Sequence, residues 1–271
     1  MLGAIAGDII GSPYERFGIK TTKFPLFSDE STFTDDTVLS VAIADAIMND
    51  IPFKERLLYY YHRNPSLVYG DHFVQWANSD DHKPYFSFGN GSAMRVCPVG
   101  WAYDSIEETL SKAKETAECT HNHPEGIKGA QAVAAAVFMA RNGKTKTQIK
   151  YFIHTEFGYD LNRKLDDIRP LYRFDVTCMG TVPEAIISFF ESSDFESAIR
   201  NAVSIGGDSD TIACIAGGIA EAFYGGVPEP IRSIVLDKIN LPWFVVDGEH
   251  VVEENHLFDV TTAFFERYVN T

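Results

Sequence analysis

Residues 212–223 carry one charged side chain, Glu221, in a run otherwise made of Ile, Ala, Gly, Cys and Phe. A helix with no polar face is one that other helices surround, so this run predicts the buried central helix of the fold. Gly217 and Gly218 each cost such a helix about 1 kcal/mol relative to Ala, which makes sense where neighbouring backbones must come close. Leu2, Ile5, Ile9 and Ile10 recur at helical spacing and predict a helix that stops near Pro13. Residues 37–48 predict a second apolar-faced helix. Residues 52–64 and 71–77 read as short amphipathic helices rich in aromatics, with the Tyr59-Tyr60-Tyr61 run serving packing. Further helices are expected over 105–118, 127–141, 146–156, 182–191, 195–203, 228–239 and 257–268, with Ser105, Thr181 and Asp194 at cap-like positions. Val245-Val246 and Val251-Val252 never develop the alternation of a sheet. The expected fold class is all-α. No linker, low-complexity run or internal repeat interrupts residues 1–271, which predicts a single domain.

Composition narrows the function classes. With 38 acidic against 23 basic residues the formal net charge is −15, opposite to the basic stripe of a nucleic-acid-binding surface. An anionic ligand would then need a bound cation or helix N-termini for local positive potential. Cys97, Cys119, Cys178 and Cys214 are too scattered for a disulfide framework or a thiolate metal site and read as buried small hydrophobes. The first apolar run contains Asp8 and lacks a basic leader, unlike a secretory signal. No apolar run is long enough to span a bilayer, so no membrane association and a cytoplasmic location are expected.

Chemistry concentrates where oxygen-rich turns meet apolar helices. Asp208-Ser209-Asp210-Thr211 precedes the central helix, and Thr34-Asp35-Asp36-Thr37 opens the second. Short oxygen side chains cap first turns and favour the positive end of the helix dipole, but one residue suffices for a cap. Paired carboxylates at a buried helix mouth are costly unless donors or a cation compensate them. Carboxylate and hydroxyl oxygens are the ligands of magnesium and manganese. Adjacent side chains diverge by roughly 100° around a helix, so Asp35 and Asp36 would reach two neighbouring ions more easily than share one. Residues 88–95 form a glycine-rich loop opening a helix, a construction suited to phosphate. His121 and His123 are compatible with metal ligation, substrate positioning or loop hydrogen bonding. Asp8, among Ile5, Ile9 and Ile10, is expected to be half buried and partnered, and Glu15, just after Pro13, to project into a cleft.

Four motifs resemble the ADP-ribosylglycohydrolase family: Gly7-Asp8-x-x-Gly11-x-x-x-Glu15, Thr34-Asp35-Asp36, Gly89-Asn90-Gly91-Ser92-Ala93-Met94-Arg95 and Gly207-Asp208-Ser209-Asp210-Thr211. They occur in family order and cover nearly the whole chain. The resemblance implies an orthogonal helical bundle with two magnesium or manganese ions between the acidic turns. Thr34, Asp35 and Asp36 would form one ligand set; Asp208, Asp210 and Thr211 the other, with Asp210 reaching both ions. Gly89, Asn90, Gly91, Ser92 and Met94 would hold ADP-ribose, and Asp8, His121 and His123 are grouped with them as substrate-binding. Glu15 and Asp36 are the implied catalytic residues, with Glu15 moving a proton rather than serving as an obligatory ligand. The implied substrate is an ADP-ribosylated protein or small ADP-ribosyl conjugate, modified on serine or arginine, and the product is ADP-ribose. A non-catalytic ADP-ribose-binding protein and a structural metal site are the alternatives from other classes.

Overall fold

The computed structural model describes residues 1–240 and 256–269, and between them the backbone of two short strands. In chain order the elements are α1 (Leu2–Gly11), a 3-10 turn (Ser12–Tyr14), α2 (Asp35–Asn49), α3 (Phe53–Arg63), α4 (Asp71–Ala77), α5 (Gly91–Met94), α6 (Cys97–Ala102), α7 (Ile106–Glu118) and α8 (Pro124–Arg141). They continue with α9 (Lys146–Phe157), α10 (Leu165–Ile168), α11 (Cys178–Phe190), α12 (Phe195–Ile205), α13 (Ser209–Tyr224), α14 (Glu229–Ile239), β1 (Trp243–Asp247), β2 (His250–Glu254) and α15 (His256–Tyr268). The class is all-α, and the buried apolar side chains form one contiguous cluster. No described helix is long and apolar enough to cross a membrane.

Besides the short helices α6 and α10, which the sequence pattern did not announce, two features depart from it. Val245 and Val246 pair with Val252 and Val251 in an antiparallel two-stranded ribbon, where no strand was expected; a ribbon this short leaves little alternation to detect. Thr181 is not a cap. The helix begins four residues earlier, with Thr177 Oγ1 accepting from the Gly180 amide, and carries Pro183 in its interior.

α13 is the central helix, buried at every position from Ser209 to Ala222, with α1, α12, α11 and α8 packed around it. Its closest neighbour is α1. A Cβ on Gly7 would stand 2.0 Å from the Ala213 carbonyl oxygen, and one on Gly217 would stand 2.1 Å from that of Gly3. The two backbones therefore touch directly, with no side chain between. Gly218 instead makes room for the Cys97 side chain, whose Sγ would be 2.8 Å from its Cβ. Glu221, the lone charge of the central run, is explained by the same contact: its Oε2 accepts from the Met1 ammonium at 2.5 Å and the Gly3 amide at 2.8 Å. It thus compensates the positive end of α1.

α1 also holds the start of α2. Asp8 is fully buried, and its Oδ2 accepts from the amides of Thr34 and Thr37 at 3.0 and 3.1 Å and from Thr37 Oγ1 at 2.5 Å. Its Oδ1 accepts from Thr34 Oγ1 at 2.8 Å. A carboxylate from one helix thereby caps another, supplementing the local cap in which Thr34 Oγ1 accepts from the Asp36 amide.

Two measurements test this frame. Gly7→Ala is expected to lower stability in urea unfolding by about 1–3 kcal/mol, the range for overpacking, whereas Gly70→Ala, with open space around its Cβ, should change it little. Equal stabilities would refute the direct backbone contact. Asp8→Asn puts an amide NH2 among groups that are all donating, and should cost about 1–3 kcal/mol. An unchanged unfolding midpoint would show that Asp8 does not hold the turn.

Candidate active site

The close packing of α1 brings the two acidic turns, 172 residues or more apart in places of the chain that share no local contact, to one cavity of about 660 Å³. That is the size of a small-molecule site. Thr34, Asp35, Asp36, Asp208, Asp210 and Thr211 all line it, with Glu15 beside them. The end of α1 locks onto the start of α13, since Ser209 Oγ donates to the Gly11 carbonyl at 3.0 Å. The turns also touch each other: Thr211 Oγ1 donates to Asp36 Oδ1 at 3.3 Å. Because Asp8 supplies the cap of α2, Asp35 and Asp36 are left to face the cavity.

Asp208, Asp210 and Glu15 each offer an oxygen within 4.8 Å of the others. Burial first, and then the charges of neighbouring carboxylates, hold Asp35, Asp36 and Asp210 well above the usual carboxylate range. Glu15 is raised by burial and by Asp208, with Arg16 opposing. Asp208 is raised by burial, although Asn90 Nδ2 donates to its Oδ2 at 2.6 Å. Asp36 Oδ2 is buried with no hydrogen-bond partner. The cavity wall carries two cations, Arg16 and Arg95, neither in an ion pair with a carboxylate among the described residues, so crowded carboxylates with an unpartnered oxygen fit a hard divalent cation. The hydroxyls fit as well. Thr34 and Thr211 donate their protons to carboxylates, which leaves lone pairs on both oxygens.

The opposite wall is the glycine-rich loop. Gly89, Asn90, Gly91 and Met94 line the cavity. The loop is pinned by its own groups, for the Gly89 amide donates to Ser87 Oγ at 3.0 Å and the Asn90 amide to the Val176 carbonyl at 2.8 Å. Asn90 Nδ2 also reaches Thr181 Oγ1 at 3.0 Å, so this one side chain ties loop, α11 and Asp208 together. His121 faces the cavity, with Nδ1 2.7 Å from Thr120 Oγ1. Burial and then Arg95 hold its pKa well below the ordinary value, so the ring is neutral. A Cβ on Gly91 would stand 3.2 Å from His121 Nε2, a tight contact that a small shift of the ring would have to relieve.

Three residues expected at the substrate do not line the cavity. Asp8 is turned into the protein by its four hydrogen bonds, and burial pushes its pKa up to about 6 in spite of them. Ser92 is fully buried and donates to the Gly126 carbonyl at 2.8 Å, anchoring the loop to α8. His123 caps α8, its Nδ1 accepting from the Glu125 amide at 3.0 Å, and its ring packs against Phe86 and Phe88. Other lining residues carried no signal in the sequence. Tyr69 and Phe73 form cavity wall, and Phe174 and Val176 are brought in by the bridge between Gly89 and Thr177. Arg95 also lines the cavity and is itself fully buried. Its Nη2 donates to the Thr116 carbonyl and Thr120 Oγ1, while Nε and Nη1 have no partner.

The chain has relatives among known proteins. It is 27% identical to ADP-ribosylhydrolase ARH3 of Xenopus tropicalis, over 86% of this chain and 88% of that one. It is 26% identical to the Homo sapiens ARH3, over 84% and 86%. ADP-ribosylarginine hydrolase Tri1 of Pseudomonas putida is 23% identical over 84% of this chain and 71% of its own length. Among solved structures, a chain of an ADP-ribosylglycohydrolase-related protein complex superposes with a TM-score of 0.63 at 21% identity, covering 96% of this chain and 97% of the other, which establishes a common fold. The ADP-ribosylglycohydrolase family model matches residues 1–256, and the chain belongs to that family.

Proposed function

We propose that this protein hydrolyses the glycosidic bond between ADP-ribose and an acceptor side chain of a protein or small conjugate, with serine as the favoured acceptor and arginine as the second. The observation that carries this reading is the convergence of both acidic turns, Glu15 and the glycine-rich loop on one cavity. Binding alone would not need Glu15 and the four Asp carboxylates of the two turns around one void.

Thr34, Asp35 and Asp36 would hold one magnesium or manganese ion and Asp208, Asp210 and Thr211 a second. Bound there, the ions would supply Lewis acidity and lower the pKa of a water at neutral pH. The remaining work belongs to the chain. The amide of Gly91 on the cavity wall and the buried positive charge of Arg95 face the diphosphate, an anion that the carboxylate wall would repel. Neutral His121 positions ribose hydroxyls without adding charge. Asn90 fixes Asp208 through its amide, and Asp36 orients the attacking water. Water oxygen forms a bond to the anomeric carbon as the bond to the acceptor oxygen breaks. Glu15 accepts the water's proton and returns one to the leaving alkoxide, so that free ADP-ribose and an unmodified serine result. An alkoxide leaves poorly without that proton, and Glu15 is the carboxylate that stands outside both turns.

Offering serine-linked and arginine-linked ADP-ribosyl peptides with magnesium or manganese should release free ADP-ribose, faster from serine. Chelation should stop release and also lower the melting temperature, because an ion bound only by the native state stabilises it by mass action. Release from neither peptide, or an unchanged melting temperature after complete metal removal, would sink the reading.

Glu15 and Asp210 are distinguishable. Glu15→Gln keeps the shape and removes the base, and should lower kcat by about 10²–10⁴ while ADP-ribose affinity stays within a few fold by calorimetry. Asp210→Asn should weaken metal occupancy and turnover together. Loss of metal binding in Glu15→Gln would move Glu15 into the metal shell, where its approach to Asp208 and Asp210 already brings it near.

A further inference from the structure

Next to the carboxylates lies a second cleft of about 510 Å³, which shares Glu15, Arg16 and Phe174 with the first cavity and touches none of the glycine-rich loop. Its floor is Gly18 and Gly207, the latter two residues from Ser209 and directly before Asp208. A Cβ on Gly207 would stand 2.7 Å from the Tyr172 ring, and the residue has φ +74°, so the floor admits only glycine without strain.

Apart from Glu15 at the shared edge, the ionisable groups of this cleft that carry charge at neutral pH are cations: Arg16, Lys20 and Arg173. In a chain of net charge −15 that is an inversion of sign. None of the three forms an ion pair with a carboxylate among the described residues. Lys20 Nζ donates to the carbonyls of Tyr172 and Ile205, and Arg173 Nη1 to those of Pro170 and Tyr172. These bonds fix the cations without neutralising them. Burial and then the charges of Arg173 and Arg169 depress the Lys20 pKa, the mark of cations facing one another.

Geometry limits what this charge meets. With the diphosphate at the glycine-rich loop and the anomeric carbon at the carboxylates, the acceptor leaves on the side that the loop does not occupy. The second cleft opens there. Resting on the hydrolase reading above, we propose that this cleft is the acceptor subsite, and that Arg16 and Arg173 select polypeptides with Asp or Glu beside the modified residue.

The test uses two serine-linked ADP-ribosyl peptides identical except that the residues flanking the modified serine are Glu in one and Gln in the other. At low ionic strength the wild-type protein should turn over the Glu peptide with a kcat/KM about three- to tenfold higher, the span of two exposed ion pairs. The difference should lie in KM, as for a contact made equally in ground and transition states, and should shrink with added salt. In the double variant Arg16→Gln/Arg173→Gln the ratio should fall to near one, whereas Arg16→Lys/Arg173→Lys should keep most of it. Both arginines are exposed, and melting temperatures of the variants check that the fold is retained; Lys20, which ties two carbonyls, is left in place. A wild-type ratio near one with both peptides hydrolysed overturns the subsite and leaves the hydrolase reading intact, and so does a ratio that survives in the double Gln variant. Release from neither serine peptide while an arginine-linked control is cleaved overturns the subsite alone, and release from none of the three overturns the hydrolase reading and the subsite with it.

Discussion

Because Gly7 and Gly217 lack a Cβ, α1 lies against α13 backbone to backbone, and three separate contacts depend on that spacing. At one end Glu221 receives the Met1 ammonium and the Gly3 amide. In the middle Asp8 grips the first turn of α2. At the other end Ser209 holds the Gly11 carbonyl, and Glu15 follows a few residues later. Protein interiors are packed too densely to absorb a shift of an ångström locally. A displacement of α1 would therefore move Asp8, Glu15 and, through the Asp8 cap, Asp35 and Asp36 together relative to Asp208 and Asp210. The glycines are thus part of the site although none of them faces it.

The same packing creates an electrostatic cost. Buried carboxylates repel one another strongly in a medium less polar than water, and here burial and mutual charge hold several of them above their usual range. The apolar contacts of α1 and α13 hold the carboxylates together against that cost, and a bound cation would offset it. On the facing wall the charges are arranged the other way. Arg95, Thr120 and His121 form a hydrogen-bonded series beside a loop whose first two amides are already committed. In the proposed complex this polarity would favour a diphosphate near Arg95 and an uncharged sugar near the carboxylates.

The elements most legible in the sequence were those whose signal is local. The all-round apolar run around Ile215 announced a central helix, and the oxygen-rich starts of α2 and α13 announced carboxylates in need of compensation. Both turns do line one cavity, with Thr34 to Asp36 and Asp208 to Thr211 all present on its wall. Where the expectation failed, a residue within a motif serves the frame instead of the surface. Asp8 and Ser92 occupy motif positions, but which way each points is decided by partners 26 to 34 residues away, Thr34 and Gly126. His123 differs from His121 by two residues and faces elsewhere because it begins α8. Phe174 and Val176 had no pattern at all, since the bridge from Thr177 to Gly89 that places them is a contact between distant segments. The hairpin at Val245 and Val252 escaped for a related reason: five-residue strands define a ribbon only through their pairing.

Glu15 illustrates how chain position and chemistry come together. The Asp residues of the two turns belong to the first turns of long helices, whose backbones cannot move without disturbing the core, and such rigidity suits groups that hold ions at fixed distances. Glu15 instead follows the 3-10 turn at Ser12–Tyr14, where Tyr14 Oη donates to the Pro25 carbonyl and its ring meets Phe24 edge-on at 5.0 Å. That attachment anchors the segment beside the site without enclosing Glu15 in it. The side chain consequently stands on the wall common to both cavities. A bond between a sugar in one cavity and an acceptor in the other must pass that wall. In the proposed reaction a carboxylate placed there would stand nearer the departing acceptor than the turn carboxylates, which line the first cavity alone.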